Sequence, residues 1–308
     1  MLPSIKEIST VPTLVQSDDA PPPAGSTERV YRLREQLLHT TPSLCAERGL
    51  LITAACQRYQ ADPPVLRRAK ALAHILENMS IFIMPGEIIV GNQASAPRAA
   101  PLFPEYLVDF LADEIDQFAH RRADVFEVSP AVKAHILETI VPAWHGKTLN
   151  DRAVTLMTPA VLGAQKAGVI SGRGNVTSGD GHIILNIEKV MAVGLEGILA
   201  EAEAALDNLN PYEAGEFRKR PFLAGAIITL KAAIAFAHRF AAEAERQANH
   251  PDILPERRAE LLTIAETCRQ VPAKCPRTFQ EAIQSAWFVH LISQIESNGH
   301  SFSLGRLD

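Results

Sequence analysis

The sequence predicts an α/β protein that is predominantly helical. Two observations lead there. Long stretches such as PFLAGAIITLKAAIAFAHRFAAEAERQANH and PERRAELLTIAETCRQV place apolar residues three and four apart. Strand-like runs are few and short, chiefly IFIMPGEIIVGN and IILN.

The elements follow in order. Residues 1–26 read as a disordered leader, because Pro21, Pro22, Pro23 and Gly25 deny regular structure. A helix is predicted over STERVYRLREQLLH, with Ser26 or Thr27 as its cap. SLCAERGLLITAACQRY and PPVLRRAKALAHILENM read as two packed helices. In IFIMPGEIIVGN two apolar runs flank Pro85-Gly86, which predicts a short hairpin. QASAPRAAPLFPEY is a proline-broken loop. Helices resume at LVDFLADEIDQF and at SPAVKAHILETIV, where Ser129 caps and Pro130 sits in the first turn. TLNDRAVTLMTPAVLGAQKAG is helical but interrupted by Pro159. GVISGRGNVTSGDGHIILN is the most irregular stretch, with glycines 172, 174, 179 and 181 and a short strand expected over His182–Asn186. Long helices follow, and TFQEAIQSAWFVHLISQI opens on a capping box of Thr278 and Glu281.

Composition narrows the function classes. The chain has 308 residues, 47% hydrophobic, with a formal charge of −5 and no basic stripe interleaved with aromatics, which argues against a nucleic-acid surface. There is no unbroken apolar run of membrane-spanning length, and the start lacks a signal-peptide layout. A cytoplasmic protein is expected. Cys45, Cys56, Cys268 and Cys275 form no CxxC pair and no zinc spacing, so they read as reduced, mostly buried thiols. The histidines are scattered without HExxH, and GxSxG is absent, so neither a metal centre nor a serine triad is expected.

Two stretches invite chemistry. RGNVTSGDGH is neither a P-loop nor a dinucleotide fingerprint. It carries Asn175, Thr177, Ser178, Asp180 and His182 and runs into an apolar strand; a surface turn and a functional loop both fit. The second is the end of the chain. SAWFVHLISQI is too apolar all round for a surface helix, so it should be buried. Glu296, Asn298, His300 and Ser301 then fall inside or at a cavity, where polar groups need partners. A left-handed cap at Asn298-Gly299 would explain those two residues but not His300 and Ser301. His290 reads as a satisfied core histidine.

Several stretches together resemble one family: CAERGLLIT, RRAKALAHILENMSIFIMPGEIIVGNQASAPRAAPLFPEY, NVTSGDGHIILNIEKVMAVGLEGI, RRAELLTIAETC and TFQEAIQSAWFVHLISQIESNGHSFSLGRLD. They resemble the N-terminal part of a glycyl radical enzyme, in the pyruvate formate-lyase-like branch that includes glycerol and propanediol dehydratases. The resemblance runs from about residue 27 to Asp308, which makes 27–308 a pyruvate formate-lyase-like domain truncated at its C-terminus.

The resemblance implies the first portion of a barrel of strands ringed by helices, incomplete in this chain. It implies radical elimination from a small hydroxylated substrate, or formate acetyltransferase-like chemistry. It gives His182 the role of leaving-group acid and His300 and Ser301 that of binding substrate hydroxyls. Asn175 lies near a family substrate contact, at a slightly different spacing. TSGDGH departs from the diol dehydratases, and relatives also dehydrate hydroxyproline, cleave C–N or C–S bonds, or decarboxylate arylacetates. The thiyl cysteine, the glutamate base and the radical glycine match no residue here. The chain is therefore expected to be a fragment, a truncated frame or half of a split enzyme, inactive alone; a non-catalytic remnant or interaction subunit is the alternative. No directly bound cofactor or metal is implied. The expected partners are the substrate, a radical S-adenosylmethionine activase that installs the radical, and a second copy in the full-length enzyme, with no nucleic acid or membrane.

Overall fold

The computed structural model describes residues 27–170, 176, 179, 183–298 and 302–305. The leader expected over 1–26 lies outside them.

α1 (Glu28–His39) begins as the sequence predicts, with the Thr27 hydroxyl accepting the Val30 N–H. A short strand β1 (Ser43–Cys45), where the sequence predicts the start of a helix, leads into α2 (Glu47–Arg58) and then α3 (Pro64–Asn78). β2 (Ala99–Pro101) pairs in parallel with β1. A parallel pair needs a crossover, and α2 and α3 supply it. α4 (Asp109–Glu114) continues as a 3-10 turn to His120. α5 (Pro130–His135) is capped by Ser129 with Pro130 in its first turn, and a π turn joins it to α6 (Val141–Trp144). The interruption at Pro159 separates α7 (Leu149–Thr155) from α8 (Pro159–Lys166). Thr148 and Asp151 cap α7 reciprocally, and Thr158 caps α8.

The remaining elements are α9 (Ile187–Asp207), α10 (Ala214–Phe217), α11 (Arg220–Ala248), α12 (Pro255–Gln270) and α13 (Phe279–Glu296). α11 packs against α3, α9 and α12 and is the spine of the core. Phe236 and Phe240 of α11, 5.2 Å apart at their ring centroids, meet Phe288 of α13 at 6.3 and 5.6 Å. Leu51, Ile52, Ile75, Leu76, Leu261 and Cys268 close around them. Truncating one of these buried rings to alanine costs about 3–5 kcal/mol. A second cluster holds Leu44, Leu102, Val108, Leu111, Ile136 and Ile140 under the small sheet.

Four expectations need correction. The hairpin over 81–92 is not formed. Its turn exists, with Glu87 N–H on the Met84 carbonyl and Gly86 at φ 87°, but side chains take the place of a partner strand. The Gln284 amide bonds both the N–H and the carbonyl of Val90, at 2.8 Å each. Asn92 accepts the Phe82 N–H and donates to the Ser80 carbonyl. Arg257 donates to the Met84 and Glu87 carbonyls. The strand expected over 182–186 reduces, among the described residues, to one parallel bridge, Ile184 with Ser303; Asn186 caps α9 instead. Residues 214–248, against the expectation that no run was long enough, have the length and hydropathy to cross a membrane. Within that run α11 packs against α3, α9 and α12, with Phe236, Ala237, Phe240 and Ala241 buried, while Phe217 and Phe222 nearer its start are exposed.

The fourth concerns α13. Residues 285–295 are buried as expected at Ser285, Ala286, Phe288, Leu291, Ile292 and Ile295, but Trp287 among them is 36% exposed, and Phe279 and Ile283 just before them on the same face are 80% and 42% exposed. Its capping box is half made: Thr278 accepts the Glu281 N–H, while the Glu281 carboxylate takes Arg277.

Candidate functional site

The site is built where α13 ends. A helix leaves its last carbonyls without intrahelical partners, and cations near that end also meet the negative pole of the helix dipole. Here two arginines serve. Arg48, in the first turn of α2 and 2% exposed, donates through Nε to the Ile295 carbonyl at 2.6 Å and through a terminal nitrogen to the Glu296 carbonyl at 3.0 Å. Its other contacts are the Leu102 carbonyl and the Glu105 carboxylate, the latter at 2.7 and 3.1 Å. The guanidinium lies 3.7 Å from the centre of the Phe103 ring. Arg68, one turn into α3, donates to the carboxylate and carbonyl of Glu296, to Glu105 at 3.2 Å and to the Tyr106 hydroxyl at 3.1 Å.

Two arginines and two glutamates thus balance in charge, which is what makes the burial of Arg48 and Glu105 tolerable; Arg68 and Glu296 stay partly exposed. Burial alone would raise the Glu105 carboxyl. Arg48, by charge and hydrogen bond, and Arg68 hold it below the usual carboxylate range. Arg68 is raised on balance, because Glu296 and Glu105 outweigh the effect of burial. Burial pushes the Tyr106 phenol up.

The left-handed cap considered for Asn298-Gly299 is not formed at Asn298, and Gly299 lies outside the described residues. Ser297 is extended, at φ −140° and ψ 149°, and Asn298 has no positive φ. Ser297 is buried, and its hydroxyl has no hydrogen-bond partner. It lies against Gly179, where an added Cβ would sit 2.6 Å from the Ser297 Cβ and 2.9 Å from the Tyr106 hydroxyl. Gly179 also donates its N–H to the Asn298 side chain. Past the junction the two chains meet again: Ser303 N–H donates to the Ile183 carbonyl at 2.9 Å, beside the Ile184–Ser303 bridge.

Asn175, His182, His300 and Ser301 lie outside the described residues. What the structure brings together are their flanks: Gly179 with Ser297 and Asn298 on one side, Ile183 and Ile184 with Ser303 on the other. His290 stacks on Trp287; burial lowers its pKa, and its Nδ1 has no partner. Beside Asn298 opens a cleft of about 520 Å³, walled by Leu102, Phe103, Leu107 and Phe110, with Gln93 and Gln294 on its rim. Among the described residues, no group of three or more His, Cys, Asp and Glu side chains could hold a metal.

The arginine network was missed as a site, although Arg48, Arg68, Glu105 and Tyr106 all fall inside the stretches that carry the family resemblance. That coincidence was the available signal.

Comparison with known proteins gives the chain a family and a fold. The pyruvate formate lyase-like family matches residues 24–308. A probable dehydratase, YbiW, of Escherichia coli is 38% identical over 92% of this chain and 35% of its own length. The (2S)-3-sulfopropanediol dehydratase of Klebsiella oxytoca is 32% identical over 91% of the chain and 34% of its own length. Among solved structures, a Roseburia inulinivorans protein studied for 1,2-propanediol dehydration superposes with a TM-score of 0.88 at 36% identity, covering 92% of this chain and 34% of that one. The glycerol-bound B12-independent glycerol dehydratase of Clostridium butyricum gives 0.87 at 37%, over 92% of this chain and 36% of its own. The chain spans about a third of the length of these relatives, and its helices and small open sheet are the matching part of their fold. With a family match over nearly all of the chain and dehydratases of that kind as its relatives, it belongs to the pyruvate formate lyase-like family of glycyl radical enzymes.

Proposed function

We propose that this chain forms the substrate-facing, N-terminal part of a glycyl radical lyase or dehydratase that acts on a small hydroxylated molecule in the cytoplasm. The observation that carries the reading is the double junction: 179 against 297–298, and 183–184 against 303. It brackets both segments that hold His182, His300 and Ser301. Relatives described as acting on 1,2-propanediol, glycerol and trans-4-hydroxy-L-proline support a substrate of that class.

In such a reaction a thiyl radical, supplied from outside this chain, would take a hydrogen atom from the carbon bearing one hydroxyl and, after water has left, return it to the neighbouring carbon, regenerating the thiyl. A base accepts that hydroxyl's proton, and an acid protonates the neighbouring hydroxyl as it leaves as water. Histidine suits the acid, because its ordinary pKa lies near working pH. His182 takes this role. His300, Ser301 and Asn175 hold substrate polar groups. The thiyl cysteine, glutamate base and radical glycine come from outside these 308 residues, and an activase installs the radical.

A non-catalytic role is the second reading, and the structural roles of the four cysteines are compatible with either. Cys45 pairs with Ser95, Cys275 donates to the Ala192 carbonyl, and burial raises Cys56 and Cys268, the latter to about 12. Each has a structural explanation. Anaerobic incubation of the chain with a glycyl radical activase, read by electron paramagnetic resonance, tests the proposed division of labour. No glycyl doublet is expected from this chain; a doublet arising from it would overturn the assignment of the radical to another segment.

A further inference from the structure

The arginine network does more than stabilise a helix end. Many helices stop on a glycine in a left-handed turn, which satisfies the last carbonyls and reverses the chain. At α13 the residue after the helix is extended instead, and the carbonyls of Ile295 and Glu296 are taken by side chains from α2 and α3. The direction in which the chain leaves α13 is therefore set from outside the helix, by groups more than 220 residues earlier in sequence.

Arg68 holds the most connections at that point. Its five N–H groups reach the Glu296 carboxylate, the Glu296 carbonyl, Glu105 and the Tyr106 hydroxyl. Tyr106 in turn borders the space a Gly179 Cβ would need, and Ser297 fills the rest of it. One guanidinium thereby touches the helix end directly and the Gly179 segment through a single intermediate. We propose that Arg68 is a positioning residue: with Arg48 it replaces the missing glycine cap of α13 and, through Glu296 and Tyr106, fixes Ser297 and Asn298 against Gly179. The inference rests on the reading of this junction as substrate-facing, but its geometry can be tested without turnover.

The experiment is hydrogen exchange by mass spectrometry on the 308-residue chain, comparing wild type with Arg68→Gln, Arg68→Lys and Glu296→Gln. For Arg68→Gln, exchange in peptides covering 176–186 and 297–305 should rise by about tenfold while α11 and α12 keep their protection. Arg68→Lys should restore part of the difference, because an ammonium reaches the Glu296 carboxylate but cannot span the fork of acceptors. Glu296→Gln keeps the carbonyl contact and should raise exchange less than Arg68→Gln. Unchanged exchange at both segments, or an equal rise throughout the chain, would overturn the positioning role. So would a lysine variant no better than the glutamine one. Should Arg68→Gln fail to fold, the lysine and Glu296→Gln pair still decides the matter, the proposal failing if neither separates the junction from the core. A failure of the enzymatic reading alone would leave these exchange differences in place.

Discussion

Replacing Arg48 by methionine removes a buried cation from five hydrogen bonds while keeping most of its volume. The side chain is 2% exposed and its partner Glu105 9%. Arg68 still reaches Glu105 at 3.2 Å and the Glu296 carbonyl, so neither is wholly abandoned. The Ile295 and Leu102 carbonyls are. Breaking a buried pair costs about 3–5 kcal/mol, and the residual help from Arg68 puts Arg48→Met toward 3. With a urea slope near 3 kcal/mol/M, the midpoint should fall by about 1 M. Urea unfolding followed by far-UV circular dichroism measures this. The double variant Arg48→Met with Glu105→Gln removes the stranded charge as well, and should be more stable than Arg48→Met alone. A midpoint within about 0.3 M of wild type, or a double variant that only adds damage, would show that the charges are not coupled as described.

Four more outcomes follow from the geometry. Gly194 breaks α9 at φ 65°, and a Cβ there would meet the Ala273 carbonyl and lie 2.6 Å from the Lys274 Cα; Gly194→Ala should cost at least about 2 kcal/mol in the same urea assay. Burial raises the Glu87 carboxyl to about 7, against the lesser pull of the Met84 N–H and Arg257. Since the folded state then holds a proton the unfolded state has lost, stability is full below about pH 4.3 and falls as pH rises to 7, by at most about 4 kcal/mol, a fall that Glu87→Gln should abolish in urea midpoints measured across pH. Arg29 and Arg257 hold Glu260 at about 2, so its contribution is present above pH 4.3 and lost as pH falls toward 2; Glu260→Gln should flatten that acid limb. The exposed Phe279, Ile283 and Trp287 face should make the isolated chain self-associate, and Phe279→Glu with Ile283→Glu should shift it toward monomer in sedimentation velocity.

Much of the helical frame was legible because its signals are local. Thr27, Ser129 and Pro130 announce helix starts by capping chemistry that needs no tertiary context. The β1–β2 pair was not, because three residues at each strand and a crossover of two helices leave no periodicity to read. The false hairpin at 81–92 shows the same limit from the other side. Two apolar runs around Pro85-Gly86 pattern as strands, but Gln284, Asn92 and Arg257 satisfy that backbone, and those partners are up to 194 residues away. The polar end of α13 was recognisable as unusual, since apolar sequence ran straight into Glu296, Ser297 and Asn298. What held it was not: Arg48 and Arg68 sit on helices whose own patterns look like ordinary amphipathic surface, and only the fold turns them toward Glu296.

The central claim is that His182, His300 and Ser301 face substrate while the radical resides elsewhere. It is tested most directly in a complete, activatable enzyme carrying this segment, by measuring steady-state turnover together with the glycyl radical yield for His182→Ala, His300→Ala and Ser301→Ala. Each removes a hydrogen-bonding partner, worth about 1–3 kcal/mol, or roughly five- to 150-fold in rate. The account predicts that turnover falls by that order in all three, chiefly in kcat for His182→Ala, while the radical yield stays at the wild-type level. Near-normal turnover in all three variants, or a radical yield that falls in step with activity, would contradict it.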